Sequence, residues 1–425
     1  MLLFILLFSL AILFSLGTPV VFSLMISSLI YLLLAGIDPR IVIQKIVMGP
    51  DSFVLLAVPF FILAAQIMNT VGTTKRIFRF ASTIVGHFPG GLAHVNIVDS
   101  MIFAGMSGSA IADASGAGLM EIEAMVSQGY AKSYATAVSA ASSTIGPIIP
   151  PSIPMVIYAV IAEASVGKLF LGGFIPGIFM GLSMMVITHF IAKKRGFYRD
   201  KRATLKEFFD AFKGAILALL TVVILLGGIY SGVFTPTEAA AVAAFYALFL
   251  GTVVYRELKV RDIFQIFSRI VISCGFITFI ISTSAIFSWI IARERVPQQL
   301  ADLMLSWTTS KPLVLLIMNV LFLILGMLMD TNAIMLIFLP IVLPVVKSVG
   351  IDLVHFGVVV TLNLMIGLLT PPFGVLLFLL SGLTKVSIED ILREVFPYII
   401  MLICVLFLIT YWEGLVMFLP NLWSQ

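Results

Sequence analysis

The stretch TIGPIIPPSIP, Thr144 to Pro154, places four prolines and a glycine within eleven residues of otherwise apolar chain. Proline lacks an amide donor and clashes with the preceding helical turn, while glycine permits an unwound one. The helix breaks here. Inside a bilayer each freed N–H or C=O group costs roughly several kcal/mol unless protein, water or a ligand satisfies it. Pro147, Pro150, Pro151 and Pro154 remove four donors and leave carbonyls without partners. Such carbonyls, with neighbouring hydroxyls, suit a hard cation such as Na⁺.

A second stretch, NLMIGLLTPPFG, Asn363 to Gly374, repeats the arrangement with Gly367, Thr370, Pro371 and Pro372. Gly and Pro are frequent in membrane helices, so a simple kink would account for either stretch alone. Their paired placement favours a site. At a constant offset of 221, residues 105–176 match residues 326–397 at 12 of 72 positions, including Gly105 with Gly326, Gly146 with Gly367, and Pro150-Pro151 with Pro371-Pro372. Chance between two greasy segments explains apolar identities, but explains shared helix breakers poorly.

Of the 425 residues, 61% are hydrophobic and only 11% charged, and apolar runs of about 20 residues recur from end to end. This is the composition of an all-α polytopic membrane protein. The net charge of +4 reports orientation, because Lys and Arg gather on the cytoplasmic side; no nucleic-acid partner is expected. Cys274 and Cys404 have no spacing partner and imply neither a disulfide framework nor a zinc site. The apolar N-terminus is read as a retained span, not a cleaved signal.

The strongly polar interval Lys193 to Lys213 carries eight basic residues and reads as a cytoplasmic connector. Crossings are expected at 2–16, 19–35, 53–70, 131–163 and 168–192 before it, and at 214–233, 236–254, 264–292, 355–381 and 396–419 after it. Each half then holds five. Segments 92–127 and 312–346 are too long for one crossing and carry polar or small residues near their middles, as re-entrant hairpins would. Residues 1–205 and 206–425 thus form two repeats, inverted because each crosses an odd number of times, with broken helices near 131–163 and 355–381. Both termini fall outside, on the face opposite the connector. Inverted repeats with broken helices are a secondary-transporter build. Trp289, Trp307, Tyr411, Trp412 and Trp423 read as anchors at the lipid bilayer interface.

The hairpin centres supply the facing half of a site. GMSGSAIADASGAG, Gly105 to Gly118, is rich in small residues and hydroxyls, and GMLMDTNAIML places Asp330, Thr331 and Asn332 at the second turn. Asp113 and Asp330 are functional candidates as ionisable groups at membrane depth. Asp330 either caps the following half-helix or ligates directly, and the glycines after Asp113 also fit small-residue packing.

The combination of GMSGSAIADASG, GPIIPPSIP, LAVPFFILAAQIMN and TPPFG resembles the large membrane subunit of TRAP, or tripartite ATP-independent periplasmic, transporters over nearly the whole chain. The resemblance implies an elevator-type secondary transporter of the bacterial inner membrane, driven by two or more Na⁺ ions. It also implies a small four-helix membrane subunit and a periplasmic substrate-binding protein that delivers an organic acid anion such as sialate or a C4-dicarboxylate. One implied Na⁺ site joins the turn at Ser107 to Ser109 with Ser142, Ser143, Gly146 and Pro150. The other joins Asp330 to Asn332 with Gly367, Thr370 and Pro371. Substrate would lie between the tips, against Ser107, Ser109, Asp330, Thr331 and Asn332. The Ser-Asn-Thr tip signature of related divalent-anion symporters is replaced here by Ser-Gly-Ser and Asp-Thr-Asn, and no full Arg clamp is visible.

Two other classes compete. Gly105-Met106-Ser107-Gly108 fits the G-x-S-G pattern of intramembrane serine proteases, which need a histidine base near the serine; none of His87, His94, His189 and His355 is placed for that. A cation/proton antiporter shares the broken helices but normally exposes essential carboxylates at midplane. No phosphate-binding Gly-x-x-x-x-Gly-Lys loop is present, so the energy source is an ion gradient. No enzyme is expected. Gly146 and Gly367 should sit in left-handed or crowded backbone, whereas replacing Gly228, in an uninterrupted apolar run, should matter less.

Overall fold

A computed structural model describes residues 1–197 and 199–423, and these form helices and connecting turns without a strand. The first helices are α1 (Leu2–Ser15), α2 (Val20–Leu34), α3 (Arg40–Met48), a 3₁₀ turn (Phe53–Leu56) leading into α4 (Ala57–Thr70), and α5 (Thr73–Val85). The first hairpin region comprises α6 (Gly91–Ser107), α7 (Ala110–Ser115) and α8 (Ala117–Ser127), followed by α9 (Lys132–Ser143), α10 (Ile153–Ala162) and α11 (Val166–Arg195). After the connector come α12 (Leu205–Tyr230), α13 (Pro236–Phe249), α14 (Val260–Arg293) and α15 (Val296–Trp307). The chain finishes with α16 (Lys311–Leu328), α17 (Thr331–Ser348), α18 (Leu353–Gly367), α19 (Val375–Thr384), α20 (Ile388–Tyr411) and α21 (Glu413–Trp423).

Eight helical segments among the described residues are long and apolar enough to cross a membrane. The two broken helices occupy the core. Every residue from Tyr134 to Ser143 in α9 and from Val354 to Gly367 in α18 is buried, which is why both read as apolar or small on all sides. α9 packs on α6, α8 and α20, and α18 packs on α16, α11 and α20, so each also contacts a helix from the other half of the chain.

Helix starts follow capping chemistry. Thr204 with Glu207 and Thr235 with Glu238 form capping boxes at α12 and α13, as S/T-x-x-E patterns do. Ser387 caps α20, whose first turn carries Glu389 and Asp390. That cap shifts the expected crossing at 396–419: the helix runs from Ile388 to Tyr411, and α21 follows separately. An apolar-window reading starts where charge ends, whereas the helix starts at its cap. The segment 73–85, left outside every expected crossing, is the helix α5, with Ile77, Phe80, Ala81 and Val85 buried and Lys75 and Arg79 on its other side.

Gly146 and Gly367 are crowded rather than left-handed, and the expectation for Gly228 needs correction. Neither Gly146 nor Gly367 is among the positive-φ residues; Gly108 (φ 63°) and Gly374 (φ 44°) are. At Gly146 and Gly367 the constraint is close approach alone. Gly228 is not open either, since a Cβ there would lie 2.4 Å from Phe234 Cδ2. Gly227 and Gly275 are open helical positions, with nothing within 4 Å of an added Cβ.

Candidate substrate and cation site

α6 ends at Gly108, whose left-handed backbone turns the chain, and Ser109 starts α7 by accepting a hydrogen bond from the Ala112 amide at 3.4 Å. This tip lies on the α9–α10 break. The Ile153 amide donates to Gly108 O at 3.2 Å, and a Cβ on Gly108 would lie 2.5 Å from Pro151 O. Ser152 closes the break by donating to Pro147 O at 2.5 Å while accepting from the Met155 amide as the cap of α10. The second tip repeats the contact: the Phe373 amide in the α18–α19 break donates to Met327 O at 3.1 Å. Pro150-Pro151 and Pro371-Pro372 are both cis.

The two tips share one cavity of about 350 Å³. Ser107, Ser109, Asp330, Thr331 and Asn332 all line it, so the residues expected to flank a substrate are brought together. Among the described lining residues Asp330 is the one ionisable group, and no Lys or Arg contributes. Asp330 caps α17 through a 2.9 Å bond from the Asn332 amide to Oδ1. Thr331 Oγ1 and Asn332 Oδ1 are buried without a hydrogen-bond partner. Buried polar atoms of that kind call for a further partner, which a water or a bound ligand would supply. Gln66 of α4 and Ser273 of α14 close the far wall. Neither stood out in the sequence, because nothing local links them to the tips.

Behind the first tip, Ser107 Oγ donates to Asp113 Oδ1, and both residues are buried. Asp113 Oδ2 has no partner and faces Gly146, where a Cβ would lie 2.2 Å away. A buried carboxylate oxygen with no cation or donor is strongly disfavoured. Asp113, flagged only as ionisable at membrane depth, is therefore central to this contact. Behind the second tip, Gly367 meets the Gly326 backbone directly, and Thr370 Oγ1 donates to Ile366 O at 2.7 Å. Pro150 and Pro371 lie in the turns that back the two tips.

Ser142 and Ser143 stand apart from the cavity. Ser142 Oγ donates to Asn96 Oδ1 at 2.6 Å, and Ser143 Oγ donates to Ser139 O at 2.6 Å. A similar polar link joins α16 to α18, where Asn363 Nδ2 donates to Asn319 Oδ1 at 3.1 Å. Ser107 meets no histidine. The His94 ring instead faces Phe88 and His189, with centroids 5.5 and 6.2 Å away.

Helices of spanning length, two polar tips and a shared cavity between them define a multi-pass membrane protein with the architecture of a transporter. The fold is similar to that of the Alcanivorax borkumensis YdaH transporter, with a TM-score of 0.63 at 13% identity over 88% of this chain and 87% of that one. The chain belongs to the family of the DctM component of tripartite ATP-independent periplasmic transporters, whose model matches residues 7–415. It is 45% identical over 409 residues to the sialic acid TRAP transporter large permease protein SiaM of Vibrio cholerae, covering 96% of this chain and 95% of that protein. It is 37% identical to the C4-dicarboxylate TRAP transporter large permease protein DctM of Pseudomonas aeruginosa, covering 87% of each. The family consists of transporters, not enzymes, and takes up solutes together with a small membrane subunit and a periplasmic binding protein.

Proposed function

We propose that this chain carries out Na⁺-coupled uptake of a small organic acid anion, sialate or a C4-dicarboxylate, in the bacterial inner membrane with both termini periplasmic. The observation that supports it is the shared cavity: hydroxyl and amide groups from both tips face it, and an unwound turn backs each tip. With no Lys or Arg in the lining, a carboxylate needs bound cations beside it to balance its charge. The first ion would sit near Ser107 Oγ, the free Asp113 oxygen and the Gly146 turn. The second would sit near Thr331, Asn332, Gly367 and the turn with Thr370 and Pro371. Sialate and C4-dicarboxylate are the substrates named for similar permeases. Residues 1–205 and 206–425 act as inverted repeats, and the two tips with their broken helices move as an elevator relative to the remaining helices.

Reconstituted with its small subunit and binding protein, the complex should accumulate labelled substrate at a rate that rises with external Na⁺ and ignores ATP. Equal uptake in a medium with only K⁺ would overturn the coupling. Dependence on the binding protein is a separate expectation. The family works with a periplasmic binding protein, which would deliver dilute substrate to the cavity. Omitting the binding protein should reduce uptake to background, and full-rate uptake without it would refute the tripartite assignment for this chain.

A further inference from the structure

Behind the first hairpin lies a second polar cluster that the transport site does not use. Asp99 of α6 and Glu121 of α8 are 0% and 1% exposed, and their carboxyls lie within hydrogen-bond reach of each other. Neither Asp99 oxygen has a donor, and Glu121 Oε1 has none either. Asn96 Nδ2 donates to Glu121 Oε2 and, at 2.7 Å, to Ser139 Oγ. Two ionised carboxylates in that position would be acceptors only, repelling each other in a medium that screens poorly. Like-charged carboxyls at such range resolve the conflict by sharing one proton.

Among the described residues the surroundings offer no other neutralising charge. α7 contributes Asp113, a third acid, and α9 contributes only Ser139 and Ser142. α4 carries no charged residue. The α5 cations Lys75, Arg76 and Arg79 line a separate cavity with Glu257. His94, on α6 itself, faces His189 of α11. Lys168 and Lys193 to Arg195 lie at the ends of α11, while Lys206, Glu207, Asp210 and Lys213 lie in the first turns of α12. Glu123 of α8 and Lys132 of α9 do not join the contact. No group of three His, Cys, Asp or Glu residues among those described converges as a metal cage.

We infer that Asp99 and Glu121 form a proton-binding site holding one proton between two carboxyls, distinct from the cation sites at the tips. It goes beyond the Na⁺ reading and stands without it. Loss of that proton takes the pair from one negative charge to two. Asn96 carries the change onward, because the same amide group accepts from Ser142 at the end of α9. Uptake should therefore depend on occupancy of the site and slow when the proton is released.

The test uses the full complex in lipid, compared with Asp99→Asn/Glu121→Gln and with Glu121→Gln alone. Infrared difference spectra between wild type and the double variant, recorded at about pH 7, should show one protonated carboxyl, although unpaired carboxyls ionise near 4. Between about pH 6 and about pH 9, wild-type uptake should fall severalfold. Either variant should hold its rate, since an amide mimics the protonated partner. If the double variant does not assemble, Glu121→Gln is read in the same two ways. Absence of the protonated-carboxyl band, or an unchanged pH profile in a folded variant, would overturn the site. Na⁺ dependence is measured in parallel, so failure of the Na⁺ reading is seen separately.

Discussion

Replacing Gly367 with alanine is expected to abolish most Na⁺-driven uptake while leaving membrane insertion intact. A Cβ at this position would lie 2.5, 2.6 and 2.7 Å from the C, Cα and O atoms of Gly326, all backbone. No rotamer change can relieve that contact, so α16 and α18 have to separate just where the second tip meets its broken helix. Overpacking of this kind costs about 1–3 kcal/mol, which corresponds to roughly 5- to 150-fold in an equilibrium. The reciprocal change should be milder, since a Cβ on Gly326 would approach Gly367 Cα only to 3.2 Å. Gly146→Ala differs in kind. Its Cβ strikes the Asp113 carboxyl, a side-chain end that can move, so the expected effect is a higher Na⁺ requirement in a folded protein. Gly146→Val should be more severe. Gly227→Ala and Gly275→Ala serve as controls. Wild-type Na⁺ dependence in both Gly146→Val and Gly367→Val, at normal expression, would mean that the breaks are kinks and the ion is held elsewhere.

The helix breaks were legible because proline and glycine act locally: the interruptions fall at 144–152 and 368–374, as TIGPIIPP and GLLTPPFG dictate. The ends of the segments 92–127 and 312–346 fall close to helix ends at 91, 127, 311 and 348, set by the same local breakers. Asp330 was also readable, since an acid before a helical run is a cap by its position in sequence. Contacts between distant helices were not. Asp99 and Glu121 meet only because α6 and α8 fold back on each other, and no spacing rule links residues 22 apart across a turn. The packing of Gly228 against Phe234 was hidden for a similar reason: an apolar run says that a helix forms, not which side another ring covers. α5 was missed because its basic residues break the apolar window, although its period of buried residues is helical.

Asp113→Asn should raise the Na⁺ concentration for half-maximal uptake roughly tenfold or more, with maximal rate largely recovered at saturating Na⁺. The substitution preserves shape and can keep a bond to Ser107, but removes the charge that the free oxygen beside Gly146 presents. Interactions with a charged group are worth about 1.5–3 kcal/mol each, and a tenfold change in affinity is about 1.4 kcal/mol. No basic side chain forms an ion pair with Asp113 among the described residues, so on the proposed Na⁺ reading a bound cation would balance its charge. Ser107→Ala separates the two roles of the residue. If Asp113 only anchors the tip through Ser107, Ser107→Ala and Asp113→Asn should behave alike and lower the maximal rate at every Na⁺ concentration. If the carboxylate holds the ion, Asp113→Asn alone should shift the Na⁺ curve strongly to the right, and Ser107→Ala should shift it less. Wild-type Na⁺ affinity in a folded Asp113→Asn variant would remove Asp113 from the ion site and leave the hydroxyls and turn carbonyls to bind Na⁺ without a charged ligand.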